Sequence, residues 1–498
     1  MAGGSQREPA RPKLEDQADQ EAGTSIHTPD DTLSYIVPIG YSNSEDCGYC
    51  RNSRSGQSSK RYSYYASGYS LTPEFYQVLI DRCWRRSGSL LYRPNQKAAC
   101  CPHYTLRLDS TECTPSKDQR QAVNRFNRFV LGENYVKESA RKHPLTREQA
   151  RKRDSTFDLV ERIHEAESET LHADLQPAHE LKVTLESDDF TQEKYAVYKN
   201  YQSVVHGENP ASISERGFRR FLCESSVRPR TEIDSSGREV KLGSFHQCYR
   251  LDGKLVAIGV LDLLPHAVSA VYFMYDESIQ KLQPGKLGAL REIALAKEGG
   301  YRYWYPGYYI HSCPKMKYKV DYSPQYVLDP ETLGWDLLDK DALAIFDKQA
   351  YVSLSKERVR REGSNATGGN NTPKSSTSQL SSGLDGDAID ADEPGGTEGA
   401  PIENGEEDED DQEISLFTSN MPGIASISDL EASDLDHIRI LVDHTEGFFM
   451  TGETVMWSES IRSLGSLKSK IAELIACVGP DLASQIALDF RRSSRQRA

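Results

Sequence analysis

No apolar run in these 498 residues is long enough to cross a bilayer. The longest, Leu255 to Leu264, is short and is interrupted by Asp262, so no membrane partner is expected. Met1 to Glu21 contains no apolar stretch, which argues against a secretory signal, and Ala2 in place of glycine excludes N-myristoylation. A soluble protein is expected, cytoplasmic with the nucleus as a second location. In that compartment ten cysteines serve as thiols or metal ligands rather than disulfides. No internal repeat is present, which excludes a solenoid. Net positive charge is also missing. The formal charge of −15 argues, as an average, against a nucleic-acid partner, because phosphate binding needs basic surface.

The average conceals its parts. Residues 363–414 hold fourteen Asp/Glu and one basic residue, Lys374, so −13 of the total sits there. Residues 47–158 hold twenty-one Lys/Arg against ten Asp/Glu, a local charge of +11. The net figure therefore excludes nothing. Apolar residues make up 37% of the chain, enough for one or two sizeable cores beside something unfolded.

The pattern along the chain implies six regions. Residues 1–34 are polar and read as a disordered arm. Residues 35–142 form a cysteine-bearing domain, with one helix from Thr72-Pro73 towards Gly88 and another over 117–131 closed by Gly132. Residues 143–179 are a charged linker or lid. Residues 180–351 alternate helices and strands, with a hairpin turning at Asp252-Gly253, a strand at Val268–Tyr275 and a helix at Leu287–Lys297. That order implies an α/β or α+β fold with a mixed sheet. Residues 352–415 are an acidic low-complexity linker, and 416–498 a small helical extension.

Three constellations carry chemistry. Cys47-Gly48-Tyr49-Cys50 and Cys100-Cys101 supply four thiols, a set that suits zinc or an iron–sulfur cluster. Adjacent cysteines are unusual for zinc because neighbouring side chains tend to diverge, so His103, Cys83 and Cys113 stand as substitutes for one ligand. Ordinary buried thiols are the plainer reading, and the one adopted for Cys223, Cys248, Cys313 and Cys477. Trp84-Arg85-Arg86-Ser87-Gly88, with Arg93 and Lys97, offers paired guanidinia for a carboxylate or phosphate, or else a solvated helix face. The third set comprises Ser244 to Gln247, Tyr275-Asp276 and Gln283-Pro-Gly-Lys-Leu-Gly288 opening a helix, where backbone N–H groups suit an anion. It continues with Tyr303, Trp304, Tyr305, Tyr308 and Tyr309, then Lys315, Lys317 and Lys319, aromatic stacking beside basic charge.

The ordered blocks resemble the eukaryotic arginyl-tRNA–protein transferases. The motifs are Cys-Gly-Tyr-Cys at 47–50, Trp-Arg-Arg-Ser-Gly at 84–88 and Cys-Cys-Pro-His-Tyr-Thr-Leu-Arg-Leu at 100–108. They continue with Phe-Arg-Arg-Phe-Leu at 218–222, Ser244 to Leu264, Val271 to Asp276, Gly307 to Ile310, and Lys315 to Lys319. The resemblance implies an N-terminal metal or cluster domain, with Cys47, Cys50, Cys100 and Cys101 as ligands, and a C-terminal GNAT-like acyltransferase domain. It implies transfer of arginine from arginyl-tRNA to proteins with acidic N-termini (Asp, Glu or oxidised Cys), in the N-degron pathway. Cys83 departs from it, standing where glycine is expected before Trp-Arg-Arg.

Transfer of an activated ester to an amine needs a neutral amine and no enzyme nucleophile. His246, Gln247, Tyr275 and Asp276 are the candidate amine-facing groups. Arg85 and Arg86, with Arg291 as rival, are candidates for the acidic side chain. Lys286, Lys315, Lys317 and Lys319 are candidates for the tRNA. Two rival classes are a CoA-dependent GNAT N-acetyltransferase and a non-catalytic zinc- or RNA-binding adaptor. CoA is not expected, because the first glycine after Gln283 comes one position too early for the pyrophosphate loop.

Overall fold

A run buried on both faces, Leu33 to Val37, opens a strand that joins the two ends of the described chain in one sheet. In a computed structural model of the chain, the described residues are 31–44, 47, 49–50, 61–367, 414–431, 435–442 and 447–492. Strands β1 (Ser34–Ser44) and β2 (Arg61–Ser70) run antiparallel. Thr72 caps α1 (Pro73–Ile80), its Oγ1 accepting the Phe75 N–H at 3.1 Å. The helix does not reach Gly88. Cys83 adopts a left-handed φ of 66°, and the chain turns into β3 (Arg85–Ser87) and β4 (Leu90–Pro94). That φ favours glycine, the residue the resemblance led us to expect here.

After β5 (Tyr104–Asp109) comes α2 (Lys117–Lys142), which continues past Gly132 instead of ending there. Gly132 interrupts it at φ 75°, and Ala178 packs where a Cβ would stand. Helices α3 (Arg147–Ser155) and α4 (Leu159–His164) occupy the expected linker, and α4 is folded in by Leu159 and Ile163. Next come β6 (Leu181–Ser187), α5 (Gln192–Val204) capped by Thr191, and α6 (Glu215–Phe218), which runs into a π-helical turn at Arg219–Cys223. Strands β7 (Arg230–Ile233), β8 (Glu239–Leu251), β9 (Lys254–Leu264) and β10 (Ala267–Tyr275) follow. Asp252 and Gly253 both take positive φ, as the expected hairpin turn requires.

Helix α7 (Pro284–Gly299) ends at Gly300, whose φ is 78°. Strands β11 (Tyr303–Tyr305), β12 (Tyr308–Tyr309), β13 (Gln325–Leu328) and β14 (Trp335–Leu337) precede α8 (Lys340–Phe346) and α9 (Leu354–Thr367). The last elements are α10 (Ile427–Glu431), β15 (Arg439–Leu441), β16 (Phe449–Met450), α11 (Leu467–Val478) and β17 (Ile486–Asp489).

Two mixed sheets result. The first has the order β16-β15-β17-β1-β2-β4-β3, with β17 parallel to both β15 and β1. The extension expected to be helical therefore also contributes three strands. Its α11 buries Ile471, Leu474 and Ile475 in one core with Ile36, Tyr64, Leu79 and Trp84. The second sheet runs β14-β13-β5-β11-β10-β9-β8-β6, with β12 on β5 and β7 on β8. Only β10 and β11 pair in parallel within it. Strand β5, from the cysteine-bearing region, sits between β11 and β13, so the sheets do not divide at residues 142 and 180. Val352 and Leu354 are buried and α9 reaches residue 367, so the opening of the expected acidic linker is folded. Residues 368–413 and the first thirty lie outside the described residues.

Side chains of the first sheet are tied to backbone carbonyls of the extension. Trp84 Nε1 donates to the Cys477 carbonyl at 3.1 Å. Arg93, 1% exposed, donates to the carbonyls of Cys477, Pro422 and Gly423 at 2.7, 3.0 and 2.9 Å. Loss of a charged donor leaves buried acceptors unsatisfied. Arg93→Ala is therefore expected to lower unfolding free energy by about 3 kcal/mol, read as a shifted urea midpoint, whereas substitution of exposed Arg128 leaves the midpoint in place.

Candidate functional site

The four cysteines converge. The Sγ atoms of Cys47, Cys50, Cys100 and Cys101 all lie within 4.8 Å of one another, and Cys50 and Cys100 are 3.6 Å apart. Cys47 and Cys101 are buried and the other two half-buried, on a core that includes Tyr104, Tyr309, Cys313 and Met316. Cys100-Cys101 can point two thiols the same way because it lies in a bend before β5, outside the alternation of a strand. His103 lies outside this set, edge-on to Tyr49 and Tyr308 at 5.1 and 5.3 Å. Cys83 is buried behind β3, and Cys113 packs with the second sheet's core.

The thiols differ sharply in acidity. Hydrogen bonding from Cys101 brings Cys47 down to about 4. Burial, with Cys47 beside it, pushes Cys100 up to about 12, and the bond to Cys47 with burial pushes Cys101 up as well. One negative charge is thus readily held, while further charges are resisted by the first. A divalent cation would relieve that repulsion. The spacing fits too: sulfurs about 2.3 Å from a tetrahedral zinc are about 3.8 Å from one another.

The paired arginines behave differently from a surface pair. Arg86 is buried, with Nε 2.9 Å from Asp262 Oδ2 and Nη2 2.6 Å from Oδ1. It also donates to Ser244 Oγ at 3.1 Å, and Ser244 donates to Asp262 at 2.5 Å. This bidentate pair is satisfied inside the protein, so Arg86 is unavailable to a substrate carboxylate. Arg85 is buried with its guanidinium 4.8 Å from the centre of the Tyr308 ring. Its Nη1 donates to the Trp84 carbonyl at 2.7 Å, while Nε and Nη2 meet no acceptor among the described residues. Arg291, the rival, is buried and ties α7 to α4 through the Ile163 carbonyl and Glu167.

The four amine-facing candidates do not assemble into one open site. His246 is fully buried. Its Nε2–H donates to the Leu222 carbonyl at 3.0 Å, and burial lowers its pKa to about 4, so it stays neutral and holds the π-helical turn. Gln247 is buried and accepts from Tyr249 at 2.7 Å. Tyr275 is buried edge-on to Tyr201 at 4.9 Å. Asp276 caps the short 3₁₀ turn Glu277–Leu282 and pairs with Lys254 at 2.9 Å.

Two of the four lysines are similarly committed. Lys286 is buried against Asp118, and Lys319 is buried, donating to the Tyr308 carbonyl at 2.8 Å. Lys315 and Lys317 are exposed on the 3₁₀ turn Pro314–Asp321, beside the cysteine core. The Gln283 to Gly288 loop is covered by α2, with Arg125 donating to Gln283 at 3.0 Å. A Cβ on Gly288 would lie 2.3 Å from the Phe273 ring, so this glycine serves helix–sheet packing.

Sequence reasoning missed Glu292. It stands on the buried face of α7, where a charge among Leu290, Ile293 and Ala294 was the available signal. Trp304 Nε1 donates to it at 2.8 Å, and its Oε1 lies over Gly259, 3.5 Å from where a Cβ there would stand. Burial raises its pKa to about 7, a value often found in functional sites.

The chain matches two family profiles, "Arginine-tRNA-protein transferase, N terminus" over residues 45–121 and "Arginine-tRNA-protein transferase, C terminus" over 193–329. Arginyl-tRNA–protein transferase 2 of Arabidopsis thaliana is 26% identical, covering 70% of this chain and 82% of that protein. Arginyl-tRNA–protein transferase 1 of Drosophila melanogaster is 28% identical over 66% of this chain and 88% of its own length. The aspartate/glutamate leucyltransferase of Stutzerimonas stutzeri is 33% identical over 27% of this chain and 52% of its own. The solved structure of L-PGS from Bacillus licheniformis, 12% identical over 42% of this chain and 45% of its own, has a TM-score of 0.23, too low to carry an argument.

Glu292 generates a pH test. Its folded-state pKa lies above the ordinary carboxyl value, so the stability it contributes is full below about 4.5 and is lost as pH rises through about 7. Glu292→Gln is expected to remove roughly 3 kcal/mol of that decline, measured as the difference in unfolding free energy between the two pH limits.

With both halves matched in order, and the four thiols of the first brought to a point, the chain is similar to the arginyl-tRNA–protein transferases in each of its two matched regions.

Proposed function

We propose that this protein is an aminoacyltransferase that moves arginine from arginyl-tRNA to the N-terminal amine of proteins. The observation that carries the reading is the presence of both family halves, over 45–121 and 193–329, on one interlocked pair of sheets. The acceptors are proteins beginning with Asp, Glu or oxidised Cys, which sets the activity in the N-degron pathway of the cytoplasm. All ten cysteines are free thiols, as suits a reducing compartment. The antiparallel β8–β9–β10 run, followed by α7 and the parallel β11, supports a GNAT-like acyltransferase core.

Arginine arrives as an ester, so the protein's work is to position the amine, exclude water and stabilise the oxyanion. Arg85 is the group for the acidic side chain: two buried donors without acceptors, on a guanidinium steadied by Tyr308. Lys315 and Lys317 serve the tRNA. Cys47, Cys50, Cys100 and Cys101 hold one zinc-sized ion. Their compact spacing supports a single ion over a four-iron cluster, in which each thiolate binds a different iron. When bound, the ion supplies cross-linking of the Cys47–Cys50 segment to the bend before β5.

Incubation with radiolabelled arginyl-tRNA and peptides beginning Asp, Glu or Gly tests the reading. Label is expected on the Asp and Glu peptides, with the preference for Asp over Gly falling about tenfold in Arg85→Ala. Product from acetyl-CoA, or an unchanged preference in that variant, would count against the reading or the assignment respectively. Elemental analysis of anaerobically purified protein is expected to give about one zinc per chain without a visible chromophore, and loss of that zinc in Cys50→Ser and Cys100→Ser. A brown chromophore with iron and sulfide would overturn the single-ion assignment.

A further inference from the structure

A second charged feature lies away from the cysteines. A cleft of about 490 Å³ opens over α6 and the π-helical turn, lined by Glu215, Arg216, Arg219, Arg220 and Glu224, all exposed. Arg216, Arg219 and Arg220 have the i, i+3, i+4 spacing that places side chains on one helical face. Glu215 and Arg219, and likewise Arg220 and Glu224, are four apart with opposite charge, a spacing that normally pairs. Neither pair forms. Arg219 lies over the Phe190 ring at 3.4 Å, and Glu215 accepts from Gln192 at 3.0 Å. Among the described residues, the side chains of Arg216, Arg220 and Glu224 have no hydrogen bond or ion pair. Neighbouring arginines differ: Arg230, Arg238 and Arg250 are all ion-paired.

The backbone beneath is fixed from both sheets. His246 holds the Leu222 carbonyl, and a Cβ on Gly88 would come within 2.0 Å of the Arg220 carbonyl. π-Helical turns recur at functional sites, where they shift side chains out of helical register. Here two guanidinia and a carboxylate stand unpaired in one concavity beside the ring-stacked Arg219, an arrangement complementary to a ligand that carries both charges.

We propose that this cleft seats the aminoacylated 3′ end of the donor tRNA, the guanidinia taking phosphates and Glu224 facing the cationic arginyl group. The inference rests on reading the donor as arginyl-tRNA. Arginine binds phosphate bidentately, and the ester-linked arginine carries a guanidinium and an α-amine for the carboxylate.

Filter binding of the full-length protein to one tRNA, arginylated or deacylated, across a salt series tests this. Arg216→Ala and Arg220→Ala are each expected to weaken both forms roughly fivefold and to flatten the log–log salt slope by about one. Glu224→Gln is expected to leave the deacylated form unchanged while losing several-fold preference for the arginylated one. Unchanged affinity and slope in both arginine variants would overturn the proposal. So would an acceptor-peptide KM that rises while tRNA binding stays intact, which would give the cleft to the protein substrate. Full preference for arginylated tRNA in Glu224→Gln would remove the carboxylate's role. Thermal melts matching the parent confirm that these exposed changes leave the fold intact. Failure of the unmodified protein to transfer arginine would instead remove the donor reading itself.

Discussion

The buried pair between Arg86 and Asp262 is the contact on which the architecture turns. Arg86 stands on β3, the last strand of the first sheet, and Asp262 on β9 inside the second. Removing two ions from water costs several kcal/mol each, and only close bidentate geometry with every remaining lone pair satisfied offsets it. Those conditions are met here by Ser244 and, through it, Ser225 at 2.6 Å. Loss of either ion would strand the other in an apolar junction. The pair therefore specifies how the two sheets meet, and with them the positions of Arg85, the π-helical turn and the cysteine loop.

Around that junction the molecule exchanges parts. Strand β5 leaves the cysteine-bearing region and enters the transferase sheet, while Tyr308 on β12 returns to meet Arg85 and His103. Tyr308 also donates to the Cys83 carbonyl at 2.7 Å, fixing the left-handed turn before β3. The four clustered thiols share one apolar core with β5, β12 and the start of α9. A change at the cysteines is thus felt by β5 and by β12, the strand that carries Tyr308.

Local features were legible in the sequence, and long-range pairings were not. Thr72, Thr191 and the Asp252-Gly253 turn act within a few residues, where the physics is the capping oxygen or the permitted φ. The cysteine quartet was legible because thiols in two pairs have few other uses in a reducing setting. Arg86, Lys286 and Lys319 misled because composition does not disclose whether a cation has a buried partner. Asp262, for example, lies 176 residues from Arg86. The extension misled because the periodicity of α11 outweighed the short strands beside it. Four residues of β17 carry little signal alone, and their meaning comes from β1.

The pairing of Ser34 with Ile486 and Ile36 with Leu488 has a consequence for biosynthesis. During translation β1 emerges long before its partner β17. Until then one edge of the first sheet stays bare, and the apolar face that α11 will cover is open to water. The sheet that β1 begins is completed only when β17 arrives. A chain cut short before residue 486 therefore carries an unfinished first sheet, with β1 unpaired along one side.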